Sequence, residues 1–338
     1  MTSCSQKIAQ GIAHHVRHNN EQQVQAVICG RQITHRKVQA FLDMPDIVIM
    51  HLNQFLLPGE QHLFHRSVFA GLSKNHHKCS LEHQCKLFSF TARFWGNLTN
   101  SCLERMVELS PRLHTLDLAN PFKRYSLTDA NVRCLASLIQ LRKLSIRNQC
   151  LLTSIPLITS LQELNVSGCV MMVKLESIAA LTQLRTLCLN DCKTLPPESI
   201  NDLIRMTGLQ RLFLDGCVNL VAGGRNLLPL TSLSNLQTLT LICTDLKDQE
   251  IGGDLFFPEL KELDISGSPC LTGKFLKNFI RCAQLDTLRM RFCVKFDVHE
   301  CVQSILSFSA LKVLDLSKSN VGPKEKTYLR QYLESNLK

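Results

Sequence analysis

One Trp and three Tyr are all that this 338-residue chain offers in the way of large stacking side chains with a polar handle. Dense basic clusters are absent too. The formal net charge is +10, yet residues 1–100 carry ten Lys or Arg against five Asp or Glu, and the remainder carries 28 against 23. With no basic block, few stacking groups and no nucleic-acid motif, nucleic acid is not expected as a partner. No apolar run approaches the ~20 residues that a membrane-spanning helix needs. The N-terminus shows no secretory h-region, so a soluble cytoplasmic protein with no membrane partner is expected. Catalytic signatures are missing as well: the sequence holds no Gly-x-Ser-x-Gly, no Walker-type Gly-Lys-Ser/Thr loop and no His-Glu-x-x-His. An enzyme is therefore not expected, and no cofactor is implied.

Cysteine, by contrast, is plentiful. Of the 16 cysteines, 12 lie at or after Cys102, several at one recurring position, and thiols stacked at a common repeat position serve packing better than pairing. They are read as reduced. His76, His77, Cys79, His83 and Cys85 offer nitrogen and sulfur close together. Their Cys-x-x-x-His-x-Cys spacing matches no structural zinc pattern and adjacent ligands point apart, so no metal site is expected.

The strongest positive signal is a pattern, Leu-x-x-Leu-x-hydrophobic, that begins at Leu113, Leu141, Leu161, Leu184, Leu209, Leu236, Leu260, Leu285 and Leu311. The steps between starts are 28, 20, 23, 25, 27, 24, 25 and 26 residues. The second and third hydrophobic residues sit two apart, so on a short strand both point into one core. One such unit cannot bury its own apolar edge, whereas stacked units share a continuous core. The period and pattern resemble leucine-rich repeats. Cys169, Cys192, Cys217 and Cys293 stand eight residues after the first Leu, with Cys150 and Cys243 one residue off that register. This resembles the cysteine-containing subclass, in which the residue leaving the strand is a small buried thiol able to make weak hydrogen bonds to the turn backbone.

The expected fold is therefore an α/β leucine-rich repeat solenoid, or horseshoe, over residues 101–322, with about nine repeats. Helical spacing predicts helices over Asp129–Leu138, Ser199–Met206, Lys274–Ala283 and His299–Phe308. The short step after Leu141 leaves room only for an irregular crossover. A polar helix over 323–338 would cap the array. Residues 1–100 are expected to be a small all-helical N-terminal domain, with helical spacing over residues 5–42.

Within that region Met44-Pro45-Asp46-Ile47-Val48-Ile49-Met50-His51-Leu52-Asn53-Gln54-Phe55-Leu56 resembles, without a gap, the start of an F-box. Leu72-Ser73-Lys74 resembles the element that begins its last helix, giving an F-box-like segment over 44–80. Three features depart from the family: Ile47 replaces the usual Glu, the loop from Leu57 to His62 is long, and His76 stands at the usual Trp. The resemblance implies that Met44, Pro45, Val48, Ile49, Leu52, Phe55, Leu56 and Leu72 bind a Skp-type adaptor, and through it a cullin. The repeats would then hold a protein substrate, making the chain a non-catalytic receptor of a cullin-RING ubiquitin ligase. The alternatives are a repeat scaffold whose first hundred residues merely cap the array, or a bacterial effector, acting in a host cytoplasm, without a ligase role.

Strand register assigns the outward positions. Most are small or polar and expected to be solvated. Phe213 and Ile242 are bulky and apolar, and with Arg147, Asp215, Arg289 and Arg291 they form the candidate partner-binding face, since aromatic and Arg side chains dominate interface energetics.

Overall fold

A computed structural model describes residues 111–336 apart from 121–126 and 221–226, together with the short pieces 26–28, 31–33, 89–91, 103–104 and 107–108. The adaptor-type residues Met44, Pro45, Val48, Ile49, Leu52, Phe55, Leu56 and Leu72 lie outside the described residues, as does the His76–Cys85 cluster. The chain divides into two compact units, Met1–Asp117 and Leu118–Lys338.

In the first unit, β1 (Ala26–Ile28) and β2 (Arg31–Ile33) pair antiparallel with Val27 opposite Gln32. β3 (Ser89–Thr91) pairs parallel with β4 (Thr115–Asp117), Phe90 opposite Leu116. Among the described residues of the N-terminal region these pieces are strands, not the expected helices, since the β-branched Val27, Ile28 and Ile33 on either side of a two-residue, Gly-containing interval suit a hairpin as well as a helix face. The repeat ladder also begins before residue 101. The 26-residue step from Ser89 to Thr115 is an ordinary repeat step, but Phe90 and Ala92 stand where the pattern would show its second and third aliphatic residues.

The second unit is the solenoid. Its strands are β5 (Lys143–Ser145), β6 (Glu163–Asn165), β7 (Thr186–Cys188), β8 (Arg211–Phe213), β9 (Thr238–Thr240), β10 (Glu262–Asp264), β11 (Thr287–Arg289) and β12 (Val313–Asp315). Each pairs parallel with the next, and no register slips: Leu144, Leu164, Leu187, Leu212, Leu239, Leu263, Leu288 and Leu314 are opposite one another in turn. The pattern dictates this. Most of these Leu side chains are buried, as are the third hydrophobic residues Ile146, Val166, Leu189, Leu214, Leu241, Ile265 and Met290. Slipping one residue would turn a whole set outward, where each fully buried aliphatic side chain would lose about 1.5–3 kcal/mol.

The return segments are shorter helices than the spacing predicts. They are α1 (Asp129–Val132), α2 (Glu176–Ala179), α3 (Ile200–Leu203) and α4 (Val298–Leu306), with 3-10 turns at Arg133–Ser137, Pro197–Ser199, Leu228–Ser232, Asp248–Ile251 and Lys274–Phe279. The tighter helix rises about 2.0 Å per residue rather than 1.5 Å, so a short return spans the repeat with fewer residues. Only α4 approaches its predicted length. α5 (Pro323–Asn336) follows β12. Among the described residues no helix is long and apolar enough to cross a membrane.

Two columns of residues make the stacking specific. Seven positions past the first Leu of successive repeats stand Asn148, Gly168, Asp191, Gly216, Cys243, Gly267, Phe292 and Lys318, all with φ between 55° and 74°. Each of these left-handed residues follows a strand. In four repeats the turn around it is closed by an amide donating to a carbonyl three residues back, from Cys169 to Val166, Cys192 to Leu189, Cys217 to Leu214 and Ser319 to Leu316, each at 3.1 Å. A left-handed residue in the third position is the requirement of a type II turn. The same residues lengthen the ladder, since the amides of Asn148, Gly168, Asp191 and Gly216 donate to Ser167, Asn190, Asp215 and Ile242 of the next repeat at 2.7–2.8 Å.

The next residue in each repeat is buried and carries a donor: Gln149, Cys169, Cys192, Cys217, Thr244, Ser268, Cys293 and Ser319. Cys169 Sγ donates to Ile146 O at 3.2 Å, Cys192 Sγ to Val166 O at 3.4 Å and Cys217 Sγ to Leu189 O at 3.0 Å. Gln149 Nε2 does the same to Leu118 O at 2.8 Å, and Ser319 Oγ to Met290 O at 2.6 Å. The carbonyls of Val166 and Leu189 thereby use both lone pairs, one for their own turn and one for the following repeat. Cys150 and Cys243 are not displaced members of this column, because Gln149 and Thr244 fill their repeats' places in it; Thr244 bonds within its own repeat, to Leu241 O at 2.7 Å. Carboxylates add cross-repeat clamps. Asp248 accepts from the amides of Thr272, Gly273 and Phe275. Asp129 accepts from Thr153 and Ser154; burial works against its ionisation, but these hydrogen bonds outweigh it and hold its pKa below the usual carboxylate range.

Burial pushes the Cys169, Cys192 and Cys217 thiols up to about 12 and Cys293 to about 11. Only the thiolate attacks a disulfide reagent. Native protein at about pH 9, where an ordinary thiol is about half ionised, is therefore expected to release thiol equivalents rapidly from exposed Cys243 and slowly from the four column cysteines. Denaturant should equalise them, and mass spectrometry showing a disulfide among the four would contradict the assignment.

The left-handed column yields a second expectation. A Cβ on Gly267 would lie 2.6 Å from Cys243 Sγ at φ +74°. Gly267→Ala is expected to lower stability by about 1–2 kcal/mol through the backbone alone, with a further loss from the contact. Urea denaturation should show that second part vanish when Cys243→Gly is added.

Candidate functional site: the sheet face

The sheet residues that point away from the core form the broadest functional surface of the second unit. Their polarity is more tightly used than a solvated face requires. The positions facing out along β5–β12 carry five cations, Lys143, Arg147, Arg211, Arg289 and Arg291, against five anions, Glu163, Asp215, Glu262, Asp264 and Asp315. The net charge of this face is thus zero, and the +10 of the whole chain lies elsewhere. Lys143 Nζ is 3.0 Å from Glu163 Oε1, and Arg211 Nη2 is 3.5 Å from the same carboxylate. Arg289 pairs with Glu262. Arg291 reaches Asp264 and Asp315, each at 3.8 Å. Of the predicted basic contacts, only Arg147 has no ion pair among the described residues. Arg289 is paired with an acid of the neighbouring repeat, whereas Arg291 stands 3.8 Å from acids of both neighbouring repeats and its buried Nε has no hydrogen-bond partner.

The small polar positions are not simply solvated either. Asp264 Oδ1 accepts from Ser266 N at 3.0 Å, Asp215 Oδ1 from Ile242 N at 3.0 Å, and Ser266 Oγ from Arg291 N at 3.0 Å. Asp215, expected on the partner-binding face, also accepts from a backbone amide of the next repeat. Asp315 carries the same local bond to Ser317; burial opposes its ionisation, but the Ser317 hydrogen bonds and the nearby Arg291 and Arg289 hold its pKa below the usual carboxylate range.

Thr240, Asp264 and Ser266 are only 7%, 4% and 2% exposed. They lie between longer side chains on both sides: in register order Phe213, Thr240, Asp264 and Arg289 are opposite one another, with Ile242 and Arg291 two positions further along their strands. At about 4.8 Å per strand, Phe213 and Arg289 stand roughly 14 Å apart. The predicted apolar pair and the predicted Arg pair therefore do not merge into one cluster. They stand on either side of the buried, polar Thr240 and Asp264 along the register. Thr240 Oγ1 has no hydrogen-bond partner. Phe213 and Ile242 are themselves half-buried. Sequence reasoning missed Thr240 and Asp264 as site residues; the only signal is two short side chains in a column otherwise flanked by Phe and Arg.

Cys188 occupies the same face between Asn165 and Phe213. Burial pushes its thiol up to about 11, with Arg211 working in the other direction. At neutral pH it is a protonated thiol, not a nucleophile. Among the described residues no group of three or more His, Cys, Asp or Glu could hold a metal ion.

No family model matches the chain. Among solved structures it is similar to an internalin (inlF) from Listeria monocytogenes, at 15% identity and a TM-score of 0.42, over 77% of this chain and 90% of that one. It is also similar to an internalin C2 (inlC2) from the same organism, at 19% identity and a TM-score of 0.39, over 69% of this chain and 80% of that one.

Proposed function

We propose that the chain is a non-catalytic recognition protein whose outward sheet face holds a protein partner between Phe213 and Arg289. One observation carries this: half-buried Phe213 and Ile242 face outward beside the short, buried Thr240, Asp264 and Ser266 on an otherwise charged face. Phe213 and Ile242 supply contact area, and the arginines fix orientation without a net field. A face with five charges of each sign suits a mixed protein surface better than a polyanion.

A finer reading rests on Met44–Leu56. It makes the chain the substrate receptor of a cullin-RING ubiquitin ligase, with Pro45, Val48, Ile49, Leu52 and Leu56 anchoring a Skp-type adaptor. Its mechanism is proximity: the repeats raise the effective concentration of a substrate lysine near a charged E2 enzyme. A scaffold or effector without a ligase role uses the same sheet face and lacks the adaptor contact.

Thr240→Val removes the unpartnered hydroxyl at nearly constant shape, so urea denaturation should show unchanged or slightly raised stability. The pair Phe213→Ser and Ile242→Ser should weaken binding of a partner captured on the wild-type protein, read by calorimetric titration, while leaving the circular dichroism spectrum intact. Loss of the fold in that pair would make them core residues and remove the site.

Gel filtration with a purified Skp-type adaptor separates the ligase reading from the scaffold. The receptor gives a stable complex that Pro45→Ala with Leu52→Asp abolishes, because a buried carboxylate there would lack a partner. The scaffold gives no complex with either version.

A further inference from the structure

The ladder that joins the repeats is left open at β12. From Leu118 onward each repeat sends two amides to carbonyls of the next one, the last such pair being Met290 N to Asp315 O at 2.8 Å and Phe292 N to Ser317 O at 3.0 Å. The carbonyl just ahead of each strand from β5 to β11 takes two amides in return, as Asp286 O does from Lys312 N at 2.8 Å and Val313 N at 2.9 Å. β12 is the edge of the sheet, and the equivalent groups Leu316 N, Lys318 N and Lys312 O have no backbone partner among the described residues. Leu314 N and O join them. Val313 and Asp315 on either side already face β11, and successive residues of a strand direct their groups to opposite edges.

The core is unfinished at the same place. In the repeats of β5–β11 the second and third hydrophobic residues are at most 2% exposed, whereas Leu316 is 7% exposed and Leu314 is only half-buried. α5 does not supply the missing layer, because it stacks on the return side: Tyr332 Oη donates to Leu306 O of α4 at 2.7 Å, and Leu329 lines a cavity of about 250 Å³ with Val298 and Val302. It takes the place of the next return helix, not of the next strand. The charges of the edge are divided. Asp315 accepts from Ser317 N at 2.9 Å and stands 3.8 Å from Arg291. Lys312 and Lys318 are exposed and make no ion pair among the described residues. Lys318 Nζ lies 4.7 Å from the centre of the Phe292 ring, a contact that leaves its charge in place. The two lysines bracket about 20 Å of strand.

We propose that the β12 edge binds an extended acidic peptide segment of another protein, which adds a parallel strand to the sheet. Backbone groups at strand spacing select an extended chain, since strand addition draws its affinity from main-chain hydrogen bonds and its specificity from alternate side chains. Two aliphatic residues two apart cover Leu314 and Leu316, as the following repeat does for every earlier strand. Carboxylates two places outside that pair meet Lys312 and Lys318. Lysines on an edge also discourage unwanted pairing, so the same two residues that repel a basic or neutral strand admit an acidic one. A second copy of this chain fits poorly. The antiparallel pairing that would join Leu314 of one copy to Leu316 of the other sets Asp315 against Asp315 and Lys312 against Lys318, and like charges directly opposite are destabilising. The site lies apart from the Phe213–Arg289 face, so occupation of one leaves the other open.

Fluorescence anisotropy of labelled, end-capped peptides titrated with the full chain tests this. The acidic peptide Glu-Thr-Leu-Thr-Leu-Thr-Glu is expected to bind saturably, and the same peptide with Lys at both ends to bind about tenfold more weakly or worse. Replacing the central Thr by Pro keeps the charge and removes a ladder donor. That peptide should lose about tenfold or more, which separates strand addition from charge attraction alone. Lys312→Glu with Lys318→Glu, checked for an unchanged circular dichroism spectrum, should reverse the order and prefer the Lys-ended peptide. Wild-type protein that binds no acidic peptide, a Pro peptide that binds as well as its parent, or a charge-reversed variant that keeps the wild-type order overturns the proposal. So does sedimentation showing a wild-type dimer that excludes the peptide, which would assign the edge to a second copy.

Discussion

A strand of three residues cannot hold its neighbours by its own ladder, and the second unit has no longer ones. What stacks the repeats is the left-handed residue after each strand. It extends the interstrand pairing by two further amides, turns the chain out of the sheet and delivers the next side chain into the interior facing the preceding repeat's carbonyl. The buried donor column exists because that turn leaves a carbonyl with one lone pair unused. Thr244 and Ser268 make no such cross-repeat bond, so the column is continuous in burial but not in hydrogen bonding. The leucines supply most of the burial, but they are interchangeable along the stack; the turn and its donor set the repeat-to-repeat distance and forbid slippage.

This explains what the sequence could and could not disclose. Leu-x-x-Leu-x-hydrophobic is a statement about burial, and burial at fixed spacing is visible in one dimension, so β4–β12 were legible. The donor column was half visible. Four cysteines marked it, while Gln149, Thr244, Ser268 and Ser319 passed unnoticed because the position selects a buried donor rather than a residue type. β3 escaped because Phe90 and Ala92 stand in the sequence where the pattern has aliphatic residues, which breaks the motif. The return helices were overestimated because apolar residues every three or four positions suit a 3-10 turn as well as an α-helix. On the sheet face, the residue types were legible and their state was not: Arg289 and Arg291 looked free, yet their carboxylate neighbours lie 24 to 27 residues away along the chain, each one repeat distant.

The sheet face and the flank where the chain leaves the strands offer different physics from the same repeats. The face is zwitterionic, partly self-satisfied and centred on the buried, polar Thr240 and Asp264, features that favour a shaped partner over a charged polymer. The leaving flank carries exposed apolar side chains beside both lysines and carboxylates. Neither set of properties belongs to any single repeat. Each arises because equivalent positions from distant sequence are brought to one line, which lets one solenoid carry independent surfaces whose residues are free to vary without disturbing the core.

The left-handed column alternates. Asn148, Asp191 and Cys243 carry side chains, and the residues that follow them one repeat later are Gly168, Gly216 and Gly267, whose missing Cβ leaves space for the previous side chain. The last couple, Phe292 and Lys318, replaces that relation with a ring and a cation in contact. Size therefore has a period of two repeats although the backbone has a period of one. Duplication or loss of a single repeat would set two bulky left-handed residues side by side, or leave two glycines adjacent, whereas gain or loss of a couple preserves the fit. The structural unit is one repeat; the unit by which such an array can lengthen or shorten without local repair is two.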